Sequence, residues 1–210
     1  MPHDWPPGKF RLFLSHLSSS HTYVSQVAGW LERAEVSAFV AHKDIMPSSE
    51  WQAEIESALA TADALVAFLH PDFRMSQWCD QEVGYVLGRN RLVLSVRLGA
   101  DPHGFLGKYQ GIPGVGRSEK EVADGIVQAL QAHEGTSREM ARAVANGLHT
   151  IGWDHVRALT KLAQQIALGG NQAGLRLQSA VATNHDIETE HGGAMQKLDA
   201  IATAWLAQPD

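Results

Sequence analysis

One short segment of the chain combines a carboxylate with an aromatic ring at a spacing that suits chemistry. Trp78 and Glu82 lie four residues apart in the run Ser-Gln-Trp-Cys-Asp-Gln-Glu, and side chains at this spacing project from the same face of a helix. A carboxylate held near a reacting group stabilises positive charge that develops there, and an indole can stack on a flat ligand. The alternative is structural, with Glu82 a solvated helix carboxylate and Trp78 a packing aromatic.

A second group of polar residues follows the first apolar segment, 10–14. Ser15, His16 and Ser18 stand directly after it, and hydroxyl and backbone donors at such a position suit phosphate or ribose contacts. Ordinary loop polarity is the alternative. His16 as a general base would need a carboxylate partner, which the sequence does not identify.

Four strand-like segments alternate with helix-like segments through residue 133, namely 10–14, 36–41, 64–69 and 92–98. The continuous apolar run 64–69 predicts a central strand that is covered on both faces. Repeated strand–helix units predict a parallel sheet with right-handed crossovers, and ligands bind such sheets at the carboxyl ends of the strands. The two polar groups above are therefore expected at one edge of the sheet.

Several local signals predict where the remaining elements begin and end. A helix is expected over 77–88 and a short edge strand near Gly111–Ile112. Capping boxes, in which a serine pairs with a glutamine or glutamate three residues later, predict further helix starts at Ser49 (with Ser48 as the alternative cap) and at Ser118. Beyond residue 132 only helical patterns occur, with a start near Thr136 and apolar stripes over 156–166 and 195–205. We therefore expect a helical appendage there.

Composition excludes several classes of protein. The 210 residues carry a net charge of −6, so nucleic acid is not an expected partner. The single cysteine excludes a disulfide framework and a cysteine-based zinc site. His185 and His191 have acidic neighbours that could bind a metal, but a polar loop is the favoured interpretation, and we predict no metal site. The amino terminus lacks a signal-peptide layout and no apolar run reaches membrane-spanning length, so we expect a cytoplasmic protein without a membrane partner.

Three segments, taken together, resemble a TIR (Toll/interleukin receptor) domain of the bacterial type. They are 10–16, which resembles the opening strand of that family, 39–51, which resembles the loop after its second strand, and 71–82, which resembles its Ser-x-Trp-x-x-x-Glu stretch. The resemblance covers residues 9–133 and implies an α/β flavodoxin-like parallel sheet. It leaves 134–210 as a helical C-terminal region of unknown role.

The resemblance implies one of two functions. Some family members cleave NAD at the nicotinamide–ribose bond, and these use a glutamate at the place of Glu82. For this chain that implies NAD as substrate, no separate cofactor, Glu82 as the catalytic carboxylate, and substrate contacts from Trp78, Ser15, His16, Ser18, Lys43, Asp44 and Ser48. Other members are adaptors that only bind further TIR domains, so a non-enzymatic binding module or host-signalling decoy is the alternative.

The resemblance also implies partners and a setting. Association of TIR domains is expected, because the loop after the second strand can cover the pocket of a neighbour. A partner effector or trigger protein and a role in antiphage defence are further expectations. A phosphoacceptor receiver domain shares the strand order but needs acidic residues after the first and third strands, where this chain has Ser15-His16 and His70-Pro71-Asp72. Nor does the Gly99–Gly116 segment match a dinucleotide-binding glycine loop, which follows the first strand.

Overall fold

A five-stranded sheet forms the centre of the computed structural model, which describes residues 3–40 and 49–150. The strands are β1 (Phe10–Ser15), β2 (Val36–Val40), β3 (Ala64–Leu69), β4 (Leu92–Arg97) and β5 (Ile112–Pro113). Their order is β2-β1-β3-β4-β5, and β1–β3, β3–β4 and β4–β5 pair in parallel. This is the flavodoxin-like order, so the predicted fold class is confirmed.

The central position of β3 explains its composition. All six of its residues are buried, and it pairs with β1 on one side and β4 on the other. A strand covered on both faces has no solvent-facing position, so its sequence shows a continuous apolar run instead of alternation. The predicted central strand is thereby confirmed.

The described residues contain five α-helices: α1 (His21–Leu31), α2 (Ser49–Thr61), α3 (Gln77–Gly88), α4 (Glu119–Ala132) and α5 (Glu134–Thr150). The bounds of α3 are those predicted. Helix α2 begins at Ser49, where the sequence predicted a helix start, and the identity of its cap stays a prediction. The alternative cap, Ser48, lies outside the described residues.

Side-chain alternation along β1 determines which residues reach α3. Phe13 belongs to one apolar cluster with Leu65 of β3 and with Cys79 and Val83 of α3. Residues two apart in a strand share a face of the sheet. Ser15, two residues beyond Phe13, therefore faces α3 as well.

The predicted capping box at the start of α4 is confirmed. The Glu121 carboxylate accepts hydrogen bonds from the backbone N–H and the hydroxyl of Ser118, each at 2.9 Å, and the Ser118 hydroxyl accepts from the Glu121 N–H at 3.3 Å. Arg117 adds an ion pair to the same carboxylate. These contacts, the Ser118 backbone first, lower the pKa of Glu121 from 4.5 to about 2.

Loss of this cap with acid is a testable consequence. A carboxylate with a lowered pKa in the folded state contributes stability above its ordinary pKa, and that contribution is lost as pH falls from 4.5 towards about 2. In Glu121→Gln we expect the melting temperature to depend less on pH across this window than in the wild type. Thermal melts at several pH values, followed by circular dichroism, measure this. Because the carboxylate is exposed, salt should weaken the difference, and identical pH dependence in both proteins would contradict the assignment.

The described residues form two compact units. One contains the sheet, α1, α2, α3 and most of α4, and the other contains α5 and the end of α4 with the segments Pro7–Phe10 and Arg33–Glu35. Helix α5 begins at Glu134, two residues before the predicted start. The prediction was wrong because the Thr136 hydroxyl donates to the carbonyl of Leu130 at 2.6 Å and so does not cap α5. The predicted stripes over 156–166 and 195–205 lie outside the described residues, and the boundary at 133/134 stays a prediction.

Candidate functional site

Strand order determines where a ligand crevice can form on this sheet. The chain passes from β1 outward to β2 and then returns to β3 on the other side of β1. The crossovers before and after this reversal lie on opposite faces, which leaves a crevice at the carboxyl ends of β1 and β3. Ser15 is the last residue of β1 and pairs with Ala67 of β3, so it lies at this point.

A buried carboxylate reaches the same point from α3. Glu82 is only 2% exposed, and its Oε2 atom accepts a hydrogen bond from the Ser15 hydroxyl at 2.5 Å. Burying a carboxylate away from water is costly unless hydrogen bonds compensate, so Ser15 both stabilises and orients this side chain. Glu82 is therefore not the solvated helix carboxylate that the sequence left open as the alternative.

Cys79 joins the start of α3 to the end of β1. Its side chain is fully buried, and its thiol donates to the backbone carbonyl of His16 at 3.7 Å. Cys79 and Glu82 are three residues apart, which places them on one face of the helix. This three-residue spacing is visible in the sequence and indicates the shared helix face.

Two histidines, His16 and His21, contact each other just beyond the end of β1. The His16 ring is buried, and its Nδ1 atom lies 3.0 Å from the carbonyl oxygen of Leu14. A carbonyl only accepts, so Nδ1 carries the proton, and in the neutral ring Nε2 is the acceptor. Nε2 lies 3.4 Å from Nδ1 of His21 in α1, and the two rings stack with centroids 5.6 Å apart. His21 was not among the predicted site residues, because nothing in the spacing of the two histidines indicates a contact across the intervening turn.

Trp78 occupies the rim of the site. It lies in the first turn of α3, where the Ser76 hydroxyl caps the helix by accepting from the Cys79 N–H at 3.4 Å. Four residues along a helix differ by about 40° in direction, and this difference separates the 40% exposed Trp78 from the buried Glu82. The indole is thus open to a ligand that approaches the carboxylate from solvent.

The other predicted substrate contacts differ in where they lie. Ser18 is exposed, in a short 3-10 helix that follows β1. Lys43, Asp44 and Ser48 lie outside the described residues. The structure brings Ser15 into contact with Glu82, places His16 directly after Ser15 at the end of β1 and carries Trp78 on the same helix as Glu82. The ligand contacts of all these residues stay predictions.

Charged pairs at the opposite edge of the sheet have structural roles. Arg11, near the start of β1, donates to both carboxylate oxygens of Asp63, just before β3, and this hydrogen bond is the main reason that the pKa of Arg11 is raised. Arg91, just before β4, donates to the carbonyl of Ala62, and burial lowers its pKa. These cations hold the amino ends of the strands together, away from the edge that carries Glu82.

The sheet order is that of a flavodoxin-like α/β domain, and the buried Glu82 carboxylate lies at the switch point, where such domains bind ligands. Comparison with protein families then identifies it: the family model described as TIR domain matches residues 12–131. The chain belongs to the TIR domain family.

Comparisons with curated proteins and with solved structures add little to this assignment. No curated protein is significantly similar in sequence. Among solved structures, the TIR domain of the Toll-related receptor TRR-2 from Hydra magnipapillata matches with a TM-score of 0.45 and 15% identity, covering 57% of this chain and 95% of that one. In the described part of the chain, no helix is long and apolar enough to cross a membrane, and no three potential metal ligands cluster together.

Proposed function

We propose that this chain is an enzyme that cleaves the nicotinamide–ribose bond of NAD and releases ADP-ribose or a cyclic isomer of it. One observation carries the proposal. Glu82 is a buried carboxylate, oriented by the Ser15 hydroxyl, at the ligand-binding edge of a TIR sheet. NAD is the substrate, and the reaction needs no further cofactor.

A buried carboxylate suits cleavage of the nicotinamide–ribose bond. Departure of nicotinamide leaves positive charge on the ribose ring, as in glycoside hydrolysis. The nicotinamide of NAD is already cationic, so it leaves as a neutral base without a strong general acid. Glu82 stabilises the developing charge, and it does so more strongly in a site shielded from water than in solution.

The remaining residues supply binding. Trp78 stacks its exposed indole on the nicotinamide or adenine ring, and Ser18 and the strand end at Ser15 and His16 offer donors to ribose or phosphate. Lys43 meets the diphosphate, and Asp44 and Ser48 complete the loop that covers the pocket. Two copies of the domain associate so that this loop from one covers the site of the other.

The contact between Ser15 and Glu82 gives a test of the catalytic arrangement. In Ser15→Ala the carboxylate loses the donor that orients it, and a hydrogen bond to a charged group contributes about 1.5–3 kcal/mol. We therefore expect kcat for nicotinamide release to fall about 10- to 100-fold with little change in KM. Steady-state kinetics with NAD measure both constants.

Ser18→Ala is the matched control. Ser18 lies on the same loop but is exposed, so its loss should leave kcat within about twofold and raise KM at most modestly. Equal kcat in Ser15→Ala and the wild type would contradict the proposed role of the hydroxyl.

A binding module without activity is the second candidate, and exposed apolar side chains favour it. Met75 and Phe105 are 78% and 79% exposed. The Phe73 ring contacts His103, which also pairs with Asp80 at the start of α3, so the two segments that carry Met75 and Phe105 adjoin. This candidate predicts no NAD turnover at any protein concentration, together with tight binding to other TIR domains.

The cellular role follows from the proposed reaction. Depletion of NAD, or release of a nucleotide signal, suits a defence system that responds to infection by phage. In that role the protein acts in the cytoplasm and responds to a trigger or partner protein, which residues 134–210 would recognise. Incubation of the protein with NAD in lysates of infected and uninfected cells tests this role: faster NAD loss in the infected lysate is expected, and equal rates would contradict it.

A further inference from the structure

A second pocket, of about 400 Å³, opens at the carboxyl ends of β4 and β5. These strands differ from the β1–β3 pair that forms the crevice beside Glu82. Its charged residues are Arg97 and Asp101, and Ala100, Pro113 and Val115 give it small or apolar walls. A pocket of this volume is within the range of small-molecule sites, and the proposed NAD reaction does not use it.

Two glycines hold Arg97 in the wall of this pocket. A Cβ atom on Gly111 would lie 2.9 Å from Cγ of Arg97, and one on Gly114 would lie 2.9 Å from its carbonyl oxygen. Neither position has room for a side chain, so the backbone packs directly against the arginine. The Gly114 N–H also donates to the Arg97 carbonyl at 3.0 Å. The stem of this arginine is therefore well placed before any ligand arrives.

The guanidinium group of Arg97 is incompletely satisfied. Its Nε atom is buried and has no hydrogen-bond partner within the described part of the chain. Its Nη1 atom has a single long contact of 3.4 Å to Asp101, whose side chain is 86% exposed. Exposed pairs of this kind contribute little, whereas a buried donor without an acceptor is costly.

We propose that this pocket binds a small phosphate ester and that Arg97 holds its phosphate group. The Nε and Nη2 donors form one edge of the guanidinium, and a phosphate accepts from such an edge through two parallel hydrogen bonds. A phosphate carries about −1.5 to −2 charges, so it displaces the single, solvated charge of Asp101. Rotation of the guanidinium away from Asp101 gives the buried N–H its acceptor, and the apolar wall contacts the organic part of the ester.

Calorimetric titration of the full chain with ribose 5-phosphate, and with ribose as its uncharged counterpart, tests the proposal. We expect the phosphate ester to bind and ribose not to bind. Arg97→Gln should weaken binding at least about tenfold, and Asp101→Asn should tighten it because a competing carboxylate is removed. Arg117→Gln is the matched control, because Arg117 also pairs with an acid four residues later, and it should bind as the wild type does.

The outcomes separate this proposal from the proposed NAD reaction. Glu82→Gln should retain full affinity for ribose 5-phosphate, whatever its activity towards NAD. Failure of the wild type to bind ribose 5-phosphate, or equal affinity in Arg97→Gln, would overturn the proposal. If Arg97→Gln does not fold, Asp101→Asn decides, because unchanged affinity in that variant contradicts competition for Arg97.

Discussion

Replacing Glu82 by glutamine is expected to reduce the rate of NAD cleavage by about a hundred- to a thousand-fold, the usual loss when a preorganised electrostatic contact is removed from a transition state. Glutamine has nearly the same shape and can still accept from the Ser15 hydroxyl, but it carries no charge. The fall should therefore appear in kcat, because the positive charge on ribose develops only in the transition state. Nicotinamide release, followed by chromatography, measures the rate.

Asp80→Asn is the matched control for this substitution. It also converts a carboxylate of α3 to an amide, but its side chain is exposed and faces His103. We expect this variant to keep most of the activity. Glu82→Gln should melt at or above the wild-type temperature, because it removes a buried charge. Wild-type kcat in a folded Glu82→Gln protein would remove Glu82 from the mechanism.

Truncation of Phe13 is expected to produce the largest loss of stability, about 3–5 kcal/mol for Phe13→Ala. The ring is fully buried, and it stacks on Phe39 of β2 with centroids 5.2 Å apart. Its removal leaves a cavity in the apolar cluster that Phe13 shares with Leu65, Cys79 and Val83. Urea unfolding followed by circular dichroism measures the free energy of unfolding.

Phe105→Ala is the control for the core substitution. It deletes the same side chain from a position that is 79% exposed, and surface substitutions usually change stability by less than about 0.5 kcal/mol. A loss below about 1 kcal/mol for Phe13→Ala would show that the site is less tightly packed than its burial indicates.

Local patterns were sufficient to predict most of the fold. The apolar run of β3, the bounds of α3 and the capping box of Ser118 each depend on neighbouring residues, so the sequence displays them directly. The edge strand β5 was predicted near Gly111–Ile112 and lies at Ile112–Pro113. Strand order was harder, because it depends on contacts between distant segments, and the prediction of it rested on the family resemblance.

The contacts within the candidate site were less predictable. Ser15 and Glu82 were both predicted as site residues, but their hydrogen bond joins positions 67 residues apart and depends on the register of β1 and the rotation of α3. Glu82 and Trp78 were both expected on one helix face, but Glu82 is buried whereas Trp78 is partly exposed. Arg97 could not be predicted as a site residue for the same reason. No motif includes it, and its surroundings depend on the packing of Gly111 and Gly114, which are distant in sequence.

We propose that this domain breaks the nicotinamide–ribose bond of NAD. The most direct test of this activity is to incubate the purified full chain with NAD over a range of protein concentrations. The products are then identified by mass spectrometry. We predict release of nicotinamide together with an equal amount of ADP-ribose or its cyclic isomer, with a rate per molecule that rises as the domains associate. Unchanged NAD at every protein concentration, with or without lysate from infected cells, would contradict the claim and favour the binding module.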